Sequence, residues 1–236
     1  LPGVVQEAKR MQEAGMDILI DFHFSDSWAD PGQQVAPRMW QYLSFDEAQD
    51  AMACWLVCVM ETFAQEGVDI AMVQLGNETD PGMMHPHGTL DDGFGNLASL
   101  LQAAHEAVTL SSPGTLVSVH VSSIDLAPWY FTQLQAEGYM PDVLAISNYS
   151  LWHETDLDVL SAAMAALSTT FNRPTFLAET AYAWTIDWFD WTHNLWWTGA
   201  ESDGYAFTPQ GQLDYLTDLD ALLTNLGSEQ CLGWCY

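Results

Sequence analysis

The chain has 236 residues, and its 32 acidic side chains outnumber four basic ones, so its formal net charge is −28 at pH 7. Such a charge repels nucleic acids and anionic lipid surfaces, so neither is expected as a partner. Apolar residues make up 49% of the chain, which excludes a disordered protein. No stretch approaches the roughly 18–20 apolar residues that a membrane span needs.

The sequence predicts helices and strands in strict alternation. Ser44 and Glu47 have the spacing of a capping box at the start of one helix, and Thr208 with Pro209 resembles the start of another. The predicted helices span 4–14, 44–66, 96–110, 128–137, 156–169 and 208–226. The predicted strands span 16–22, 69–75, 115–121, 141–147, 174–179 and 230–236.

This alternation predicts an α/β fold with a parallel sheet and right-handed crossovers. A doubly wound sheet and a (β/α)₈ TIM barrel both fit the pattern. Polar and aromatic residues cluster after nearly every strand, as at the C-terminal face of a barrel, and no Gly-rich phosphate loop follows a strand. We therefore expect residues 1–236 to be a single (β/α)₈-barrel domain that supplies strands 3–8 and is truncated at both ends.

Two glutamates close predicted strands. Glu78 ends the second strand and Glu179 the fifth, which become the fourth and seventh once two missing strands are restored. Those positions lie across a barrel mouth, where a retaining glycosidase needs a protonated acid and an ionised nucleophile about 5 Å apart. Asn77 can donate to a sugar hydroxyl beside the reacting carbon. For either glutamate alone, a solvated strand tip is the alternative interpretation.

Four longer motifs carry a resemblance to the family 53 glycoside hydrolases, the arabinogalactan endo-β-1,4-galactanases. They occupy residues 21–32 (DFHFSDSWADPG), 74–78 (QLGNE), 177–182 (LAETAY) and 204–212 (GYAFTPQGQ). The resemblance implies a (β/α)₈ fold, with Glu78 as acid/base and Glu179 as nucleophile in retaining endo-hydrolysis of β-1,4-galactosidic bonds in (arabino)galactan. It also implies a secreted or periplasmic monomer whose partner is this polysaccharide.

Side chains near the predicted strand ends are candidates for contacts with substrate. Three histidines there could bind zinc, but the ligand spacing of HExxH is absent and sugar hydroxyls suit imidazole. Three tryptophans are suitable platforms for the apolar face of galactose, or they pack their own loops, and two aspartates either fix the first loop or bind sugar. The candidates are His23, Asp26, Trp28, Asp30, Asn77, His120, Asn148, Tyr149, Trp152, His153, Tyr182 and Trp184.

No cofactor or metal is expected, with calcium kept as an alternative because some bacterial relatives hold calcium in the loop before the last strand. The acidic residues of the long loop show no EF-hand spacing; they are Asp187, Asp190, Glu201 and Asp203. The cysteines occur as two i, i+4 pairs, neither of which is a CxxC signature, and we expect buried thiols. The pairs are Cys54 with Cys58 and Cys231 with Cys235.

Two other functions remain open at this point. The family 53 glycoside hydrolases belong to clan A, and the chain could be a β-glycanase of another specificity in that clan, acting on glucan or mannan. It could also be a barrel that binds carbohydrate without cleaving it, although the presence of both glutamates favours an enzyme.

Overall fold

A computed structural model describes residues 1–192, 194–202 and 204–236. The chain divides into two compact units. Unit 1 contains Leu1–His120 and Trp129–Val143, and unit 2 contains Val121–Pro128 and Leu144–Tyr236. None of the helices among these residues has the length and apolar character needed to cross a bilayer.

Unit 1 is built around three parallel strands. The central strand β2 (Ile70–Leu75) pairs with β1 (Ile18–Phe22) on one side and with β5 (Leu116–Val121) on the other. The elements of unit 1 are α1 (Pro2–Glu13), β1 (Ile18–Phe22), α2 (Phe45–Gln65), β2 (Ile70–Leu75), β3 (Gly82–Met83), β4 (Gly88–Thr89), α3 (Gly95–Ser111), β5 (Leu116–Val121) and α4 (Ala127–Ala136). The last residue of β5 and the first two residues of α4 belong to unit 2. The short strands β3 and β4 form an antiparallel pair in the loop after β2.

Unit 2 also has three parallel strands, in which β7 (Thr175–Glu179) pairs with β6 (Val143–Ser147) and with β8 (Cys231–Trp234). Its elements are β6 (Val143–Ser147), α5 (Leu157–Phe171), β7 (Thr175–Glu179), α6 (Pro209–Leu226) and β8 (Cys231–Trp234). The first residue of β6, Val143, belongs to unit 1. All five residues of β6 are buried, as expected for a parallel strand that is covered on both faces.

The predicted helix starts are present. The Ser44 hydroxyl accepts from the Glu47 N–H, and the Glu47 carboxylate accepts from the Ser44 N–H, which satisfies two of the first N–H groups of α2. The hydrogen bonds that the Glu47 carboxylate accepts from the Ser44 N–H and the Ser44 hydroxyl lower the pKa of Glu47. The Thr208 hydroxyl accepts from the Gly211 N–H, 3.0 Å away, at the start of α6.

All six predicted strands and six predicted helices are found, with boundaries within two residues of those expected. The additional pair β3–β4 was not predicted. The expectation of buried thiols is wrong for three of the four cysteines, because Cys54, Cys58 and Cys235 are exposed and only Cys231 is buried. The buried face of α2 is formed instead by residues such as Met52 and Leu56.

Candidate active site

Glu78 has an unusual backbone conformation three residues after the end of β2. Gly76 makes the turn with a φ of +80°, and Glu78 itself has a φ of +45°. A left-handed conformation is uncommon for a residue with a Cβ, and such strain is concentrated at functional sites. The side chain of Glu78 is half-buried.

Asn77, immediately before Glu78, is 2% exposed. Its Nδ2 donates to the Ala29 carbonyl at 2.8 Å, which leaves its Oδ1 3.0 Å from Nδ1 of His120. The Ala29 bond fixes the orientation of the amide. Nδ1 of His120 also lies 3.4 Å from the backbone N–H of Glu78 and 3.3 Å from Nε2 of Gln74, so the ring contacts both Asn77 and Glu78. The predicted contact of Asn77 with a sugar hydroxyl stays a prediction.

His120, on β5, is fully buried. Burial lowers its pKa to about 3, and the nearby His23 lowers it further in the same direction. His120 is therefore a neutral imidazole near neutral pH. Its proposed contact with substrate remains a prediction.

A buried hydroxyl pair lies behind this network. Thr79 receives a hydrogen bond from Tyr130, or donates one to it, at 2.7 Å, and Thr79 also contacts the His120 carbonyl through its N–H (2.8 Å) and its hydroxyl (3.0 Å). Neither Thr79 nor Tyr130 is exposed. The residue that follows Glu78 is thus fixed to β5 from the inside of unit 1.

The loop after β1 carries four of the predicted binding residues. His23 lies 2.9 Å from the Asp21 carboxylate, and its ring meets that of Trp28 edge-on at 5.6 Å. Trp28 is 68% exposed, so its ring is accessible to a ligand. Asp26 accepts from a backbone N–H of the same loop at 2.8 Å, and Asp30 does so at 2.7 Å. Both aspartates thus fix the loop, and sugar binding by them stays a prediction.

A cavity of about 360 Å³ lies beside this loop within unit 1. Trp55 from α2 forms one wall and makes edge-on contacts with Phe22, Phe24 and Trp40. His23 also lines the cavity, so that the apolar walls have a polar group at one side. The arrangement of aromatic faces and a polar group is typical of ligand pockets.

In unit 2, Glu179 lies at the end of β7 and is half-buried. The Tyr149 hydroxyl donates to its carboxylate at 2.9 Å. The backbone N–H of Tyr149 donates to Nδ1 of His153 at 3.0 Å, and the ring of Trp152 lies 5.8 Å from that of Tyr149. Asn148 donates its backbone N–H to the Glu179 carbonyl at 2.8 Å. Five predicted site residues thus lie together.

The other two predicted residues of unit 2 differ in exposure. Tyr182 is 1% exposed and stacks on Tyr215 at 4.3 Å, while its hydroxyl donates to the Tyr205 carbonyl at 2.6 Å. Burial raises its pKa. Trp184 is 47% exposed and stacks on Phe189 at 5.6 Å. Roles in substrate binding remain predictions for both residues.

Sequence reasoning missed Gln34, Thr79 and Tyr130. All three act on backbone groups or on residues distant in the sequence, and such contacts leave no periodic pattern. For the calcium alternative, Asp190 and Glu201 each accept a backbone N–H within two residues, and Asp203 lies outside the described residues. Within 1–192, 194–202 and 204–236, no three His, Cys, Asp or Glu side chains are placed to hold a metal.

Comparisons with known proteins agree on one family. The family model described as Glycosyl hydrolase family 53 matches residues 1–236. An arabinogalactan endo-β-1,4-galactanase of Cellvibrio japonicus is 32% identical over 99% of this chain and 65% of its own length. An endo-β-1,4-galactanase of Bacillus subtilis is 31% identical over 94% of this chain and 51% of its own length.

A solved structure described as the GH53 catalytic domain of Ignisphaera aggregans is similar with a TM-score of 0.90 and 32% identity. It is matched over 99% of this chain and 65% of that domain chain, so this chain spans about two thirds or less of these relatives. Together with the alternating strands and helices, the match confirms the (β/α)₈-barrel class predicted from the sequence, with six of its strands in this chain.

Proposed function

The chain belongs to glycosyl hydrolase family 53, and we propose that the protein is a retaining endo-β-1,4-galactanase. The observation that supports this most directly is the strained, internally fixed backbone of Glu78, immediately after a buried Asn77. Strain of this kind is costly and is retained where it serves a site. The relatives named as galactanases supply the substrate class.

In the proposed reaction, Glu179 attacks the anomeric carbon while Glu78 transfers its proton to the departing glycosidic oxygen. The C–O bond breaks as a covalent galactosyl ester forms at Glu179. Glu78, now ionised, removes a proton from water, and the resulting hydroxide displaces Glu179 from the anomeric carbon. Two inversions give net retention, and Glu78 regains its proton.

Side chains of three kinds contribute to this proposed chemistry: a tyrosine, a histidine and exposed tryptophans. The Tyr149 hydroxyl, 2.9 Å from the Glu179 carboxylate, orients the attacking oxygen atoms. Neutral His120 holds Asn77 beside Glu78 without adding a charge to the site. Trp28, Trp152 and Trp184 are exposed, and each ring can lie against the apolar face of a galactosyl unit.

The first test is Glu179→Gln, which keeps the size of the side chain and removes the nucleophilic carboxylate. We expect turnover of β-1,4-galactan to fall by about 10⁴-fold or more while the affinity for galacto-oligosaccharides is largely kept. Reducing-end release measures the rate, and calorimetry measures binding. Glu229→Gln is the matched control, since Glu229 is exposed in the segment before β8, and it should keep the wild-type rate.

Substrate panels separate the alternatives. Equal or faster cleavage of β-glucan or β-mannan would replace galactan as the substrate, and a full rate in Glu179→Gln would contradict the nucleophile assignment. Tight binding of oligosaccharide with no reducing ends released by the wild type would favour a non-catalytic carbohydrate-binding barrel.

We further propose that residues 1–236 are part of one catalytic domain that acts as a monomer outside the cytoplasm and needs no cofactor. A polysaccharide is too large to enter a cell intact, so an enzyme that cleaves bonds within the polysaccharide chain has to meet its substrate outside the cell. The acidic surface presents no electrostatic penalty to an uncharged galactan.

A further inference from the structure

We propose that Gln34 is a positioning residue for the general acid/base Glu78, an inference that rests on the function proposed above. Gln34 lies in the loop between β1 and α2 and is 3% exposed. Its Nε2 atom lies 2.7 Å from the Asn77 carbonyl oxygen and 3.1 Å from that of Glu78. The Asp30 carbonyl oxygen is also 3.1 Å away.

These contacts fix which end of the amide faces Glu78. Three carbonyl oxygens converge on one atom of Gln34, and only the NH₂ group can donate to them. The opposite orientation would bring the Gln34 carbonyl oxygen against three other carbonyl oxygens. Gln34 therefore acts as a hydrogen-bond donor, with its NH₂ directed at the backbone that carries the catalytic residue.

The carbonyls of Asn77 and Glu78 belong to the two peptide planes on either side of the Glu78 Cα. A peptide unit is planar, so φ and ψ of Glu78 are the only soft dihedrals between these two planes. A donor that holds both planes therefore fixes φ and ψ, and with them the direction of the Cα–Cβ bond. The φ of +45° makes this support relevant, because the conformation is disfavoured without it.

Gln34 is itself held in place. Its backbone carbonyl accepts the N–H of His85 at 2.6 Å. One residue earlier, the backbone of Gln33 exchanges two hydrogen bonds with that of Asp30, at 2.9 and 3.1 Å. The donor therefore projects from a fixed loop backbone, and its geometry is transmitted to Glu78 rather than lost in loop motion.

The experiment replaces Gln34 by Met, whose side chain has a similar length and no hydrogen-bond donor. The substitution is made in the full protein, with any residues that flank this chain retained. Gln34→Asn is the second variant, because it keeps the amide but withdraws it by one methylene. Gln41→Met is the matched control. Gln41 lies in the same loop and donates to the Ala36 carbonyl at 2.9 Å, but it does not contact Glu78.

The readouts separate acid/base function from general damage. β-1,4-Galactan has a poor leaving group and needs the proton from Glu78, whereas 2,4-dinitrophenyl β-galactobioside has a leaving group that departs without it. For Gln34→Met we expect the rate on galactan to fall about 10- to 100-fold, because general acid catalysis contributes about 10²- to 10⁴-fold in total. The rate of dinitrophenolate release in the first turnover should change less than about threefold, since that step needs little acid assistance.

Azide provides a further signature of lost acid/base function. Azide attacks the galactosyl enzyme without general-base help, so it should raise steady-state turnover of the aryl substrate by the variant and give a β-galactobiosyl azide. The wild type and Gln41→Met should show no such gain.

Three results would overturn the inference. The first is a full rate on galactan in both Gln34 variants. The second is an equal loss of rate on galactan and on the aryl substrate, with no effect of azide. The third is loss of the thermal unfolding transition in both Gln34 variants. The second or the third result would give Gln34 a purely structural role. A wild type that cleaves no polysaccharide would instead contradict the proposed function, so the two failures are distinguishable.

Discussion

At the scale of single residues, the site depends on groups whose protonation is set by burial. His120 is fully buried, and its pKa of about 3 keeps the ring neutral, with Nδ1 3.0 Å from Oδ1 of Asn77. In the unfolded chain the same ring has a pKa near 6.5. Since the unfolded state then binds the proton more readily, His120 should reduce stability as the pH falls.

This gives a prediction for the variant His120→Asn. Because the folded pKa is depressed, the contribution of His120 to stability is complete above pH 6.5 and is lost progressively as the pH falls from about 6.5 towards 3. Within that window, wild-type stability should fall by about 1.4 kcal/mol per pH unit more steeply than that of the variant. Urea unfolding at a series of pH values measures the difference.

The pH range above the pKa of histidine in the unfolded chain is the internal control for that experiment. Between pH 7 and 8 the two stability curves should run parallel, because the ring is neutral in both folded and unfolded wild-type chains. Parallel curves down to pH 4 would mean that His120 is not a buried neutral group in solution.

At the scale of elements, the first turn of α6 contains a glycine for steric reasons. A Cβ added at Gly211 would lie 1.9 Å from the Ala206 carbonyl oxygen, far inside any permitted contact. Gly211 also donates its N–H to the Thr208 cap, so the clash falls on the turn that starts the helix. Ordinary helix propensity would favour alanine over glycine by about 1 kcal/mol, but sterics dominate here.

We therefore expect Gly211→Ala to lower the free energy of unfolding by about 2 kcal/mol or more, since relief of the clash requires a backbone shift. Gly3→Ala is the matched control, because Gly3 also lies in the first turn of a helix and a Cβ there would meet nothing within 4 Å. Gly3→Ala should leave stability unchanged or raise it. Chemical denaturation of both variants measures the effect, and equal stabilities would show that the Ala206 carbonyl moves without cost.

The sequence predicts the elements well because each leaves a local signal. Caps such as Ser44–Glu47 and Thr208–Pro209 mark helix starts, and runs of buried apolar residues mark strands. The strands β3 and β4 have two residues each, too few for any periodicity, so they could not be predicted. Cys54 and Cys58 are exposed because the buried face of α2 is formed by residues such as Met52 and Leu56, whereas the expectation of buried thiols rested on the residue type and the spacing of the pairs.

The predictability of the site follows the same division. Glu179 could be singled out because it ends an apolar strand, and Glu78 because it closely follows one, while motif resemblance assigned their roles. Gln34 could not, because its bonds to backbone carbonyls span 43 and 44 residues and carry no sequence pattern. The left-handed backbone of Glu78 is likewise a tertiary effect, imposed by contacts on a residue type that does not favour it.

At the scale of the whole molecule, charge and catalytic groups have separate roles. The net charge of −28 argues against anionic partners, while an uncharged polysaccharide is not repelled. Glu78 belongs to unit 1 and Glu179 to unit 2. The central claim of the proposed function is that Glu179 is the nucleophile.

The most direct measurement is to trap the covalent intermediate. The substrate is a 2,4-dinitrophenyl galactobioside with fluorine at C2 of the reacting sugar. The fluorine slows both formation and hydrolysis of the galactosyl ester, but the good leaving group still allows formation, so the galactosyl ester accumulates. Mass spectrometry of the protein and its peptides should find one fluorogalactobiosyl group, attached to Glu179 and absent from Glu179→Gln. A label on another residue, or an unlabelled enzyme that releases the α-anomer from galactan, would contradict the account.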